Sequence, residues 1–153
     1  MPEPTMPTSA TPRFALPHLF AAQAQKEFIV NEANARLDVV LHCAVAGVSA
    51  TPPEDPADGE TWLVAANPEG AWAGREGMLA GRQAGTWVFV APRQGLRVYD
   101  DATRQFIHFD QDWVRVQSPA EPIGGTAPDA EARAAIGNLI ERLQAAGIFP
   151  AQQ

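Results

Sequence analysis

Trp62, Trp72, Trp87, Trp113 and Tyr99 fall within about fifty residues of one another, interleaved with Arg75, Arg82, Arg93, Arg97 and several aspartates. Sugar rings present C–H faces that stack on indole, while their hydroxyls bond to carboxylates and guanidinium groups. The mixture therefore suits a glycan platform, and it suits a protein–protein hot spot equally well. Trp62, Trp87 and Trp113 stand in strand-like runs, where packing accounts for them. Trp72 stands in residues 67–77, a loop holding Gly70, Gly74 and Gly77, and an aromatic there has less packing reason to be present. Trp72, Arg75, Arg93 and Tyr99 are the candidates for contact with a glycan or partner, with Trp72 foremost.

Bond-making chemistry is not legible. Asp100, Asp101, Asp110 and Asp112 flank one hairpin without the fixed-loop spacing that calcium needs. Paired carboxylates suit glycoside hydrolysis in principle, yet aspartates in turns ordinarily bond their own backbone. His18, His42 and His108 are scattered, with no H-x-x-x-H or H-E-x-x-H relation. The serines lack a G-x-S-x-G elbow. The glycine-rich loops do not follow a strand and open a helix, which a phosphate cradle requires. Cys43 is the sole cysteine, which excludes an intramolecular disulfide; among Leu41, Ala44 and Val45 a thiol acts as a small hydrophobe. No catalytic residue, metal ligand or cofactor is expected.

A chain of 153 residues with 46% apolar content is long enough for one domain with a core. Its net charge of −7 opposes nucleic-acid binding and docking on anionic lipid. The first residues lack the basic start and apolar run of a signal peptide. No uninterrupted apolar stretch is long enough to span a bilayer. Synthesis in the cytoplasm with no obvious export route is the expectation.

The elements that must position these side chains follow from proline, glycine and periodicity. Residues 1–20 carry Pro2, Pro4, Pro7, Pro12 and Pro17, so this arm is extended or irregular. It ends in Phe14, Leu16, Leu19 and Phe20, apolar groups that need a surface to cover. From Asn31, taken as an N-cap, Ala33, Leu37, Val40, Leu41 and Ala44 mark one buried helical stripe, ended by Gly47. Strands are expected at residues 61–65, 78–83, 87–91, 96–99, 105–109 and 113–116, with short turns between them. Such close spacing means an antiparallel meander or partial barrel. Trp87-Val88-Phe89-Val90, apolar on both faces, reads as a central strand covered by the helix. Residues 117–128 form a linker. Residues 126–129 open a last helix with a capping-box-like start, and Gly147 closes it with Ile148 and Pro150 beyond. Ala132, Ile136, Leu139, Leu143 and Ala146 repeat in heptad rhythm, so this helix either docks on its own sheet or bundles with sister helices. The fold class is α+β, divided as arm 1–20, helix-plus-sheet domain 21–116, linker 117–128 and C-terminal helix 129–147.

The chain also resembles a bacterial family, formally of unknown function, found in alphaproteobacterial phages and in the phage-like particles called gene transfer agents. The resemblance rests on Ala22 to Lys26 (A-Q-A-Q-K) and Asn31 to Asp38 (N-E-A-x-x-x-L-D). It resumes at Pro56 to Val64, Gly70 to Gly74, Gly85 to Gly95 and Val98-Tyr99. It implies a structural virion component, a head spike, head fibre or tail fibre that attaches to host surface polysaccharide, with no catalytic residues carried over. The implied particle is released by lysis. By analogy with fibres the subunit is a homo-oligomer, a trimer held by Ile136, Leu139 and Leu143. Its arm (Phe14, Leu16, Leu19, Phe20) anchors it to another virion protein. A glycan-cleaving depolymerase using carboxylates near Asp100 and Asp110, and a stand-alone carbohydrate-binding module, are the rival readings.

Overall fold

The computed structural model describes residues 11–14, 16, 18, 19, 26–120 and 129–150. Residues 1–10, Phe20, residues 21–25 and residues 121–128 lie outside it, and with them parts of the expected arm, the A-Q-A-Q-K block, most of the linker and Thr126. In chain order the described elements are α1 (Lys26–Val40), β1 (Ala44–Val45), β2 (Val48–Ser49), β3 (Thr61–Val64), a 3-10 turn (Gly70–Trp72), β4 (Leu79–Gln83), β5 (Thr86–Val90), β6 (Arg97–Asp100), β7 (Gln105–Asp110), β8 (Asp112–Val114) and α2 (Ala130–Ala145). Each expected strand is present, its ends shifted by a residue or two, and the class is α+β.

Local turn chemistry sets the strand pairing. Ala84 and Gly85 take φ of 47° and 73°, the two-residue turn whose twist matches that of its flanking strands, and β4 folds straight back onto β5. Gln111 at φ 63° turns β7 into β8. The meander does not stay in one layer. It splits into two four-stranded sheets, ordered β1-β6-β7-β8 and β2-β3-β4-β5. Each is an antiparallel meander of three strands with a short parallel strand added, β1 on β6 and β2 on β3. Residues 44–49 therefore cross from one sheet to the other.

The alternation within β3–β5 sorts side chains onto two faces. Leu63, Leu79, Val88 and Val90 join Val39, Cys43, Val45, Val98 and Ile107 in the core between the sheets. Trp62, Val64, Ala80, Trp87 and Phe89 face the other way, around Trp72. β5 is thus covered on both faces, although it is an edge strand rather than the expected central one. The helix does pack there, on β4 and β5. A Cβ on Gly81 would sit 2.3 Å from Val39 Cγ2, so helix and sheet approach as closely as they do because this position is glycine.

α1 is rotated relative to the expected stripe. Asp38 and Val39 are its buried residues, while Leu37 is 52% exposed and Leu41 also faces solvent. Asn31 lies inside the helix instead of capping it, and Gly47 is not its stop: the helix ends at Val40 and His42 takes φ 46°. A buried carboxylate needs donors, and the segment before the helix supplies them. Asp38 Oδ1 accepts from Thr11 Oγ1 at 2.6 Å and Phe14 N at 2.8 Å, and Oδ2 accepts from Arg13 N at 3.1 Å and Gln83 Nε2 at 3.2 Å. The Arg13 guanidinium donates to the carbonyls of Asp38, Val39 and His42, satisfying acceptors that a helix end leaves orphaned. Asn31 donates to and accepts from the Leu19 backbone. The described residues from Thr11 to Leu19 therefore belong to the domain, and the expected boundary at residue 20 does not separate them from it.

At the other end, Asp129 accepts from Ala132 N at 2.9 Å and caps α2. Gly147, at φ 69°, lets the chain turn back. Its carbonyl accepts from Phe106 N at 2.6 Å, and Gln105 Nε2 donates to Ile148 O. The end of α2 is thereby held in cis, and Ile140 is the helix's buried residue. Ile136 and Leu139, two of the heptad positions, remain exposed.

Candidate functional site

The loop of residues 67–77 folds inward, and this overturns the foremost surface candidate. Trp72 is fully buried. Its ring meets Trp87 edge-on, with centroids 5.1 Å apart and planes at 80°. It closes the outer face of β3–β5 and offers no face to a ligand. The apolar area of an indole drives that burial, although its N–H finds no acceptor among the described residues. Tyr99 is also drawn into packing: it meets Phe106 edge-on at 5.1 Å, beneath Gly147.

Arg75 and Arg93, by contrast, are brought together. With Arg36 of α1 they line a cleft of about 750 Å³ whose floor is Val40, Met78, Phe89, Val90, Ala91, Pro92 and Leu96. Arg75 lies over the Phe89 ring, 5.0 Å from its centroid. No carboxylate is among the lining residues. Arg36 has one within reach, Glu32 at 2.6 Å, but both are well exposed, and such a pair holds its charges only weakly.

A second cleft, of about 580 Å³, opens at the seam between the two sheets. Trp113, Phe109, Met78, Pro92 and Leu63 make its apolar wall, and Glu76, Gln111 and Asp112 stand on its polar side. Trp113 Nε1 donates to Gly77 O at 2.8 Å, which fixes the indole across the seam, and Phe109 packs edge-on against it at 5.5 Å. Met78, Ala91 and Pro92 line both clefts, so the two form one surface with a basic end and an aromatic end. Trp113, Phe109 and Arg36 were not among the expected site residues. The pattern of β8 assigns Trp113 to packing, and only the turn at Gln111 shows that its strand borders the seam.

The aspartates do not converge as a hydrolytic pair. Asp100 pairs with Gln105 at one end of β7 and Asp110 forms the other end, which places them about 17 Å apart at ~3.4 Å per residue. Glycosidase carboxyl groups stand roughly 5–9.5 Å apart. Asp100 is buried, bridged to Arg115, and accepts from Ala102 N; these are structural duties. Cys43 lies just past α1 rather than in it and is buried. Burial pushes its thiol from 9.0 up to about 11, opposed by the nearby Arg13 charge, so it is inert at neutral pH. Among the described residues no three His, Cys, Asp or Glu side chains are grouped so that they hold a metal ion, and no helix is long and apolar enough to cross a membrane.

What the surface can do is hold a ligand: an apolar floor for C–H faces, guanidinium groups at one end, and carboxylate and amide at the other. No curated protein matches the chain. The family described as "protein of unknown function (DUF2793)" matches residues 30–114, the stretch that runs from α1 to the end of β8 and carries both clefts. The match spans more than half of the sequence, and the chain belongs to that family.

Proposed function

We propose that this chain is a non-enzymatic structural subunit of a phage-like particle, a spike or fibre component that helps attach the particle to host surface polysaccharide. The observation that carries the proposal is the amount of large apolar surface left in solvent on both helices. Phe28 is 73%, Ile29 74% and Leu139 58% exposed, with Leu37 and Ile136 also exposed on the same helices. Soluble monomers rarely leave so many large apolar groups in water, and subunits of assemblies do. In this reading α2 stands out from its docked C-terminal turn and presents Ile136 and Leu139, with half-buried Leu143, to sister helices in a homo-oligomer. A trimer is the order expected of fibres. The N-terminal arm, with Phe14, Leu16, Leu19 and Phe20, engages a second particle protein; of these Leu19 is exposed. The two-cleft surface faces the glycan.

Light scattering on the purified chain tests the assembly. A homo-oligomer is expected, and Ile136→Ala, Leu139→Ala and Leu143→Ala together convert it to monomer while the sheets stay folded. A wild-type chain that is monomeric at all attainable concentrations removes the fibre reading. A monomer that still binds glycan stands instead as a carbohydrate-binding module, which the seam cleft alone supports.

A further inference from the structure

The arginines are not evenly spread over this acidic chain. Three of its ten, Arg36, Arg75 and Arg93, line one cleft, while the whole carries a formal charge of −7. The two outer residues reach it from different elements, Arg36 from α1 and Arg93 from the turn after β5. Arg75 lies over the Phe89 ring, 5.0 Å from its centroid, a contact that limits the entropy lost on binding. We propose that this cleft seats a carboxylate-bearing sugar unit, so that the polysaccharide recognised is acidic; the inference rests on the glycan reading above and names its substrate class.

The chemistry that selects such a unit is specific. Guanidinium groups match carboxylates with paired parallel hydrogen bonds. The floor between them is apolar, with Val40, Leu96 and Pro92 suited to the C–H face of a pyranose. The neighbouring seam cleft continues the surface past Met78 and Pro92 toward Trp113, where the next sugar along a chain can stack. A nucleic acid is disfavoured. Three cations on a molecule of net charge −7 provide little counterion release, and the Phe89 face that a base needs is already occupied by Arg75.

Calorimetric titration with oligogalacturonate, maltohexaose and inorganic phosphate tests this. Oligogalacturonate is expected to bind, and to weaken as salt rises. Arg93→Ala and Arg75→Ala are each expected to weaken it roughly tenfold, the effect of one charge-assisted bond. Arg142→Ala, on the exposed side of α2, leaves it unchanged. Arg93 is exposed, so its loss does not disturb the core, and an unchanged melting curve for Arg93→Ala confirms that the defect is in binding. Maltohexaose binding as tightly as oligogalacturonate overturns the acidic assignment but keeps the glycan reading. Phosphate binding as tightly as oligogalacturonate also overturns it, leaving a general anion site. If no sugar of either charge binds, the glycan reading itself falls.

Discussion

Asp38→Asn is the most informative single change in this fold. The side chain is buried and its two oxygens receive four donors. Asparagine keeps the shape and one oxygen. Placed at Oδ1, that oxygen still accepts from Thr11 and Phe14, but more weakly than a carboxylate does. The amide nitrogen then faces two donors, Arg13 N and Gln83 Nε2. Gln83 cannot simply turn over, because its nitrogen also donates to Ala35 O. Gln83 Nε2 keeps Ala35 O as acceptor, so Arg13 N is the donor left stranded, at about 1–3 kcal/mol, and reducing two charge-assisted bonds to neutral ones costs about 1 kcal/mol more. The sum, about 3 kcal/mol, is a large share of the roughly 5–15 kcal/mol that holds a domain together. For a chain of this length it lowers the melting temperature by about 6–12 °C.

Two assays read the consequence. Thermal unfolding followed by circular dichroism gives the stability loss. Limited trypsinolysis reports where it acts, because Arg13 is tied to two carbonyls of α1 and to that of His42 just past it, and its following bond is protected until the segment lifts. Cleavage after Arg13 should accelerate in Asp38→Asn before any cut in β3–β8. Thr11→Val, which removes one donor to the same carboxylate, should be non-additive with Asp38→Asn, by about 0.5–3 kcal/mol. If Asp38→Asn melts with the wild type and Arg13 stays protected, the carboxylate is not what ties the segment down.

Gly81→Ala should destabilise by about 1–3 kcal/mol, because the new methyl collides with Val39; Gly81→Ala with Val39→Ala should recover part of that loss in denaturant titration. Cys43 should resist thiol reagents at pH 8 in the folded chain and react only on unfolding. Its thiol is neutral in the fold up to about 11 and ionises near 9.0 when exposed, so between those pH values the unfolded chain binds fewer protons and stability falls as pH rises. Cys43→Ala should abolish that part of the alkaline slope, which is worth about 2–3 kcal/mol across the window. Asp129→Ala should cost about 1 kcal/mol in α2 alone, seen as faster amide exchange in its first turn with the sheets unaffected.

Much of the sheet was legible because its strands alternate and its turns carry Asp, Gly and Gln where φ must be positive or the backbone must be bonded. Gly85 after Gln83 and Gly147 after Ala146 each end an element where expected. The two-residue strands β1 and β2 were not legible, since a pair of residues has no period, and without them the division into two sheets could not be foreseen. The buried face of α1 is not legible for a different reason. Hydrophobic spacing selects Leu37 and Leu41, whereas the buried residue is Asp38, whose burial depends on donors 24 to 45 positions away in the chain. Trp72 failed for a third reason: a glycine-rich loop has no pattern by which to tell inward from outward, and the area of one indole decided it.

The site itself depends on the crossing at residues 44–49. Because β1 extends the β6–β8 sheet and β2 the β3–β5 sheet, residues 44–49 tie the two sheets together, and residues 91–96 join them again between β5 and β6. Between them the space is filled by side chains rather than backbone. Val48, Leu63 and Trp113 do so in part, leaving a smaller cavity of about 200 Å³ behind the seam cleft. The opening lies at the seam between the two sheets, lined by residues of both. Loop substitutions on its rim, at Glu76, Gln111, Asp112 or Arg93, can change what it holds while leaving the two sheets that hold it intact.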